Sequence, residues 1–253
     1  MKIIIIGSGN LATHLALSLK AAGHTIVQVY SRLFEHAHEL AEKVGADYTN
    51  NLREINPNAD LVIFSVKDDV LEQLISDLPQ SNSVLAHTAG SVSMSVFSGR
   101  TESYGVFYPL QTFSKNREID FSSIPLFLEA SDNQSAVLLE EIAKSISNNV
   151  RFLSSEKRKY LHLSAVFACN FTNHMYDIAS NILKEQNIEF DVLKPIILET
   201  AYKVMDLSPE IAQTGPAIRF DEKVVQKHMN MLEDENLKEI YLKLSESIHN
   251  RTL

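Results

Sequence analysis

The sequence predicts an α/β protein: a mostly parallel sheet wound with helices, followed by an all-helical C-terminal domain. Two observations carry that expectation. Short β-branched runs alternate with amphipathic stretches over about the first 150 residues, the pattern of strand–helix–strand units. After Leu153 the strand signal stops and helical periodicity continues to the C-terminus. The expected division is therefore 1–153 and 154–253.

Strands are expected at 2–6, 25–30, 61–66, 84–87, 103–108, 125–129 and 150–153. The first and third are nearly continuous apolar runs, as strands covered on both faces should be. Amphipathic stretches at 11–22, 33–44, 70–77 and 134–148 supply the helices between them. Beyond the boundary, Ser154 or Ser155 can cap a helix whose positive end Glu156 favours. The pattern then runs from 156 to 184, a rod of roughly 43 Å if unbroken. Further helices are expected at 192–205, 222–232 and 237–249, with Asp191 and Asp221 as caps. Pro195 is tolerable because it falls in a first turn, where N–H groups lack partners anyway.

Composition limits the function classes. Of 253 residues 22% are charged and 45% hydrophobic, which excludes a disordered or fibrous chain. No apolar run approaches the ~18 residues of a membrane span, and the first residues are too short for a signal peptide. A net charge of −9 argues against nucleic acid as a partner. The single Cys169 rules out an internal disulfide and multi-cysteine metal sites and fits a reducing cytoplasm.

The most informative motif is Gly7-Ser8-Gly9-Asn10-Leu11-Ala12, a G-x-G-x-x-A turn directly after a strand and opening a helix. Gly7 makes the tight turn, Gly9 lets the backbone approach a pyrophosphate, and Ala12 permits close helix–strand packing. This points to a Rossmann-type dinucleotide-binding domain over 1–153, with Gly7, Ser8, Gly9, Asn10 and Leu11 at the phosphates. The second strand ends in Ser31-Arg32, where an NAD site would carry an acidic residue. A hydroxyl beside an arginine suits a 2′-phosphate, so NADP is expected, with NAD still possible.

Other loops at the carboxyl ends of the strands carry further candidates. Ser65, Val66 and Lys67 are expected to touch the cofactor. His87, ahead of Thr88-Ala89-Gly90-Ser91, either acts as an acid or base or is buried and organises its loop. In the next loop, Tyr108 and Gln111 offer hydrogen-bonding groups, and Phe113 reads as packing. The stretch 161–171 is too apolar all round for a surface helix. At 100° per residue, His162, Asn173, Asp177 and Asn170 fall within an arc of about 80°, a polar stripe facing a ligand, another domain or another subunit. Thr214 and Arg219 flank a stiff Gly215-Pro216 connection, and Arg219 could clamp a substrate carboxylate. No metal site is expected, since His36 and His38 face different ways on a helix.

These segments together resemble the Rossmann-like proteins with a C-terminal DUF2520 domain. The residues concerned are Gly7 to Ala12, Val29-Tyr30-Ser31-Arg32, His87 to Ser91, Tyr108 to Phe113, His162 to Asn170 and Thr214-Gly215-Pro216-x-x-Arg219-x-Asp221. The resemblance implies an NADP-dependent oxidoreductase, similar in plan to pyrroline-5-carboxylate reductases, ketopantoate reductases and β-hydroxyacid dehydrogenases. It also implies a helical domain, 154–253, that serves substrate binding and homodimerisation. That family usually has histidine at the position of Tyr108. The lysine–asparagine pair of the last two enzyme groups is absent, with His162 and Asn170 in its place, which argues against those two activities.

The expected function is hydride transfer between NADP and a small carbonyl, imine or hydroxy compound, with or without a carboxylate. His162 is the first candidate for the proton, since imidazole exchanges one near neutral pH, and His87 the second. Asn170 would orient the reacting atom and Arg219 anchor the anion. Two rivals stand beside this: an NADP-binding sensor without turnover, and a reductase coupling NADP to coenzyme F420.

Overall fold

In the computed structural model, residues 1–115, 117–219 and 221–251 are described. One eight-stranded sheet holds β1 (Lys2–Ile6), β2 (Thr25–Tyr30), β3 (Asp47–Thr49), β4 (Leu61–Phe64), β5 (Val84–His87), β6 (Tyr104–Pro109), β7 (Leu126–Ala130) and β8 (Val150–Phe152). The strand order is β3-β2-β1-β4-β5-β6-β7-β8. Every pairing is parallel except that of β6 with β7. The order reverses at β1, and the crevice beyond the strand ends there is where such sheets bind dinucleotides.

Period-2 alternation divides the central strands between two cores. Ile3 and Ile5 join Leu15, Leu19 and Phe107 on the face covered by α1 (Asn10–Ala21), α2 (Phe34–Val44) and α4 (Asn133–Ile146). Ile4 and Ile6 join Phe64, Leu71 and Phe97 on the face covered by α3 (Asp68–Asp77). β3 is an addition to the expected strands. The third expected strand stops at Phe64, because α3 already starts at Asp68, two residues before the expected helix start at 70.

The long C-terminal rod is not uniform. Ser154 accepts from the Lys157 N–H and caps α5 (Ser155–Ala165), which passes into a π-helical segment, Val166–Phe171, and then α6 (Thr172–Glu185). A π turn holds one residue more than an α turn, so positions beyond it are rotated by about 100° from the straight-helix projection. The expected polar stripe is therefore broken after Asn170. Asn170, Asn173 and Asp177 are exposed, and so are Leu163, Phe167 and Phe171, so the stretch is not enclosed in this chain.

By internal contacts the chain divides into Met1–Met175 and Tyr176–Leu253. The sheet does end at Phe152, beside the expected change of pattern at Ser154. However, α5 groups with the sheet, because Ser155 and Arg158 bond to Glu129 on β7. The second unit contains α7 (Lys194–Asp206), a short α8 (Pro209–Ala212), α9 (Glu222–Met231) and α10 (Glu235–Asn250). Asp221 caps α9 as expected, whereas Asp191 lies in a 3₁₀ turn and α7 starts without a side-chain cap. Among its described residues none is buried, so this unit has no closed core of its own.

Candidate active site

A cleft of about 890 Å3 runs along the carboxyl ends of β1, β2, β4, β5 and β6, built wholly from the first unit. All ten residues expected at the cofactor line it, as does His162. At its centre Gly7 has φ +124°, and a Cβ there would lie 2.1 Å from the Ser65 carbonyl oxygen. Only glycine lets β1 turn so close to β4. A Cβ on Gly9 would meet nothing within 4 Å, so the backbone ahead of α1 is open on that side. No side chain caps α1, which leaves its first N–H groups free for an anion.

One end of the cleft is set by β2. The Ser8 hydroxyl donates to Ser31 Oγ at 2.9 Å, joining the glycine turn to the strand end where exposed Arg32 stands. The Asn10 amide is already used, donating to the Phe113 carbonyl at 2.8 Å. His14 Nε2 sits 2.9 Å from the Ser114 carbonyl, so α1 also holds the loop after β6.

The other end carries titratable groups. Tyr108 Oη is 2.9 Å from His162 Nδ1, with the two rings edge to face. Burial pushes the Tyr108 phenol up to about 12, against a smaller downward pull from the Arg158 charge. The imidazole lies directly against Gly90, where a Cβ would fall 2.4 Å from His162 Nδ1. Gly90 is thus the space that His162 occupies.

Behind this wall lies a buried cluster. Arg158 is fully buried, and its Nη1 donates to Glu129 Oε2 at 2.7 Å. Its Nη2 donates to the Val92 carbonyl and to Ser155 Oγ. Ser155 in turn donates to Glu129 Oε2 at 2.6 Å and accepts the Met94 N–H. Ser155, Arg158 and His162 share one face of α5 and hold the 90–94 loop against it. Neither Arg158 nor Tyr108 stood among the expected catalytic residues. The i, i+4 spacing of Arg158 and His162 was the available signal for the first; the partner of Tyr108, 54 residues away, had none.

The other candidates fall elsewhere. His87 is fully buried, does not line the cleft, stacks on Phe97 and accepts the Ala89 N–H at Nδ1. Burial, and then the Arg158 charge, push its pKa down to about 4, so it is neutral in the folded protein at pH 7. This geometry matches the loop-organising alternative. The unfolded chain takes up a proton below about 6.5 that the folded chain refuses until about 4, so stability must fall with pH across that window. The loss attributable to His87 is about 3 kcal/mol, and urea unfolding of His87→Leu should show a correspondingly flatter profile between pH 7 and 4. Parallel profiles would rule this out. Asn170 is exposed on the π segment and Arg219 is exposed in the second unit. No cluster that could hold a metal exists among the described residues, and no helix among them is long and apolar enough to cross a membrane.

Comparison with known proteins agrees with this architecture. A family model described as "NADP oxidoreductase coenzyme F420-dependent" matches residues 2–90, and one for "Domain of unknown function (DUF2520)" matches 124–248. No curated protein matches the chain. A crystal structure from Bacteroides fragilis, described as a "putative NADP oxidoreductase", is 52% identical with TM-score 0.93, covering 99% of this chain and 98% of that one. Two more distant structures share the fold. A pyrroline-5-carboxylate reductase from Coxiella burnetii has 19% identity and TM-score 0.56, covering 99% and 96%. A reductive aminase from Aspergillus terreus with NADPH and ethyl levulinate has 16% identity and TM-score 0.74, covering 98% and 92%.

Proposed function

The chain belongs to the NADP oxidoreductases that carry a C-terminal DUF2520 region, and from that membership we propose that it binds NADP in the β1–β6 cleft and transfers a hydride to or from a small carbonyl, imine or hydroxy compound. The carrying observation is one continuous cleft with the glycine turn between Arg32 at one end and the Tyr108–His162 pair at the other. Bound NADP would supply the hydride chemistry, which no side chain here provides. The chain's own groups do the rest. The 7–11 turn and the start of α1 hold the phosphates, Ser31 and Arg32 the 2′-phosphate, and 65–67 the wall between. His162 moves the proton; Asn170 and Arg219 do not line this cleft, so neither is assigned the substrate.

Arg32→Asp tests the cofactor. It should weaken NADPH binding by roughly 100-fold, since a charge-assisted phosphate contact becomes a repulsion, and NADH binding by less than about fivefold. Equal losses in a fluorescence titration would defeat the assignment. Incubating the protein and NADPH with a panel of carbonyls and imines separates an enzyme from a sensor, because a sensor binds without oxidising. The N-terminal family match favours a second reading, hydride exchange with coenzyme F420, and the deazaflavin belongs in the same panel.

The partner we assign to the helical unit is a second copy of the chain. The lack of a buried residue among its described residues and the exposure of Ile196, Tyr202 and Met205 leave an apolar surface of the kind that oligomers cover. Sedimentation velocity returning a monomer at micromolar concentration would exclude this.

A further inference from the structure

Resting on the hydride-transfer reading, we propose that Gln111 is a substrate-binding residue whose side-chain amide donates to an accepting oxygen of the substrate. Three observations carry it. First, the amide is oriented. Its Oε1 accepts the Thr112 N–H at 2.8 Å, and a backbone N–H needs an acceptor, so oxygen and nitrogen cannot be exchanged. The two hydrogens on Nε2 have no protein partner among the described residues, and Gln111 is exposed on the cleft wall. Second, the backbone on both sides of it is held. Leu110 donates its N–H to the Pro125 carbonyl at 2.9 Å. The Phe113 carbonyl accepts from the Asn10 amide at 2.8 Å, and the Ser114 carbonyl lies 2.9 Å from His14 Nε2. The Phe113 ring packs against those of His14 and Phe121. A donor carried on so fixed a stretch of chain loses little freedom when it binds.

Third, its place in the chain ties two parts of the cleft together. Three residues before Gln111, Tyr108 meets His162; two residues after it, Phe113 meets Asn10 of the phosphate turn. Three residues span at most about 11 Å, so Gln111 stands between the group that moves the proton and the turn that holds the phosphates. Bound nicotinamide has to cross that interval to bring its hydride to the proton-transferring end, and the substrate lies against it there. The fixed orientation of the amide then sets the chemical class. With Oε1 spent on Thr112, the side chain offers the cleft hydrogens and no acceptor. It suits a carboxylate or a neutral accepting oxygen. An ammonium group has only hydrogens to offer, and its donors would face those of Gln111 unpaired.

Two substitutions and one measurement without turnover test this. Gln111→Glu isolates the donor, because its carboxylate still accepts the Thr112 N–H and gives the substrate no hydrogen. For the compound of the carbonyl and imine panel that the parent reduces fastest, KM should rise about tenfold if the bound oxygen is neutral and about 100-fold if it is a carboxylate. Gln111→Met, which adds no charge, should raise KM about tenfold in either case, so the pair of variants tells the two oxygens apart. NADPH affinity should stay within about threefold in both variants. NADP+ and the same compound form a complex with no hydride to transfer. There, exchange of the Gln111 side-chain amide protons with water, followed by NMR, should slow at least about fivefold, and NADP+ alone should change it little. An unchanged KM in both variants, a lower KM in Gln111→Glu, a loss that falls on NADPH instead, or exchange slowed fully by NADP+ alone overturns the proposal and leaves the hydride reading standing. If NADPH is oxidised by no compound of the panel, both fail.

Discussion

Glu129→Ala should cost about 3–5 kcal/mol of stability, the cost of stranding one member of a buried ion pair. The Arg158 side chain is wholly buried and that of Glu129 only 15% exposed, so water cannot replace the lost carboxylate. The guanidinium would keep its bonds to the Val92 carbonyl and Ser155 Oγ and lose the carboxylate that compensates its charge. Removing both charges is a different experiment. Glu129→Leu combined with Arg158→Met should recover to within about 1–2 kcal/mol of the parent, because apolar replacements of a buried pair are often nearly neutral. Acid should act in the same direction as the single variant. Burial alone would raise the Glu129 pKa, but hydrogen bonds from Ser155 and Arg158 outweigh it and hold the carboxyl below its usual value. The stabilisation is then present above the ordinary glutamate pKa and lost as pH falls toward the lowered one. Urea unfolding of the three proteins at neutral and acidic pH decides the matter. A single-variant cost under about 1 kcal/mol, or simple additivity in the double variant, would show that the two side chains are not coupled.

Features that depend on neighbours in sequence were legible; those that depend on distant partners were not. β1, β2 and β5 follow from apolar runs, and their observed bounds match the expected ones. The glycine turn could be read because the tight approach of Gly7 to Ser65 permits one residue type only. β3 is three residues, Asp-Tyr-Thr, without alternation, and exists through its pairing with β2. Arg158 sits in Glu156-Lys157-Arg158-Lys159, which reads as a solvated run until β7 brings Glu129 to it. The π segment changes helical phase without any marker such as proline or glycine, so a projection at constant pitch misplaced everything after it. The site divides in the same way. The cofactor end is one local motif plus a strand end, while the chemical end needs β6 and α5 to meet.

Gly90→Ala should reduce turnover by about 100-fold while leaving NADPH affinity within about threefold, because its methyl group points at the imidazole. The added Cβ would fall 2.4 Å from Nδ1, 2.5 Å from Cγ and 2.9 Å from Cβ of His162, so the ring must leave its place. Its hydrogen bond to Tyr108 is lost with it. A displacement on the order of 1 Å at a proton-transferring group is enough for a loss of that size. Gly90 does not require a left-handed backbone, so the penalty belongs to the contact with His162. That makes it separable. Overpacking should cost about 1–3 kcal/mol in the parent and clearly less in His162→Ala, which removes the two nearest ring atoms and leaves only the Cβ at 2.9 Å. A double-variant cycle measured by urea unfolding therefore reads the contact directly and needs no substrate. If Gly90→Ala destabilises both backgrounds equally, the methyl group clashes with something other than the His162 ring. The glycine would then have no part in placing the proton donor.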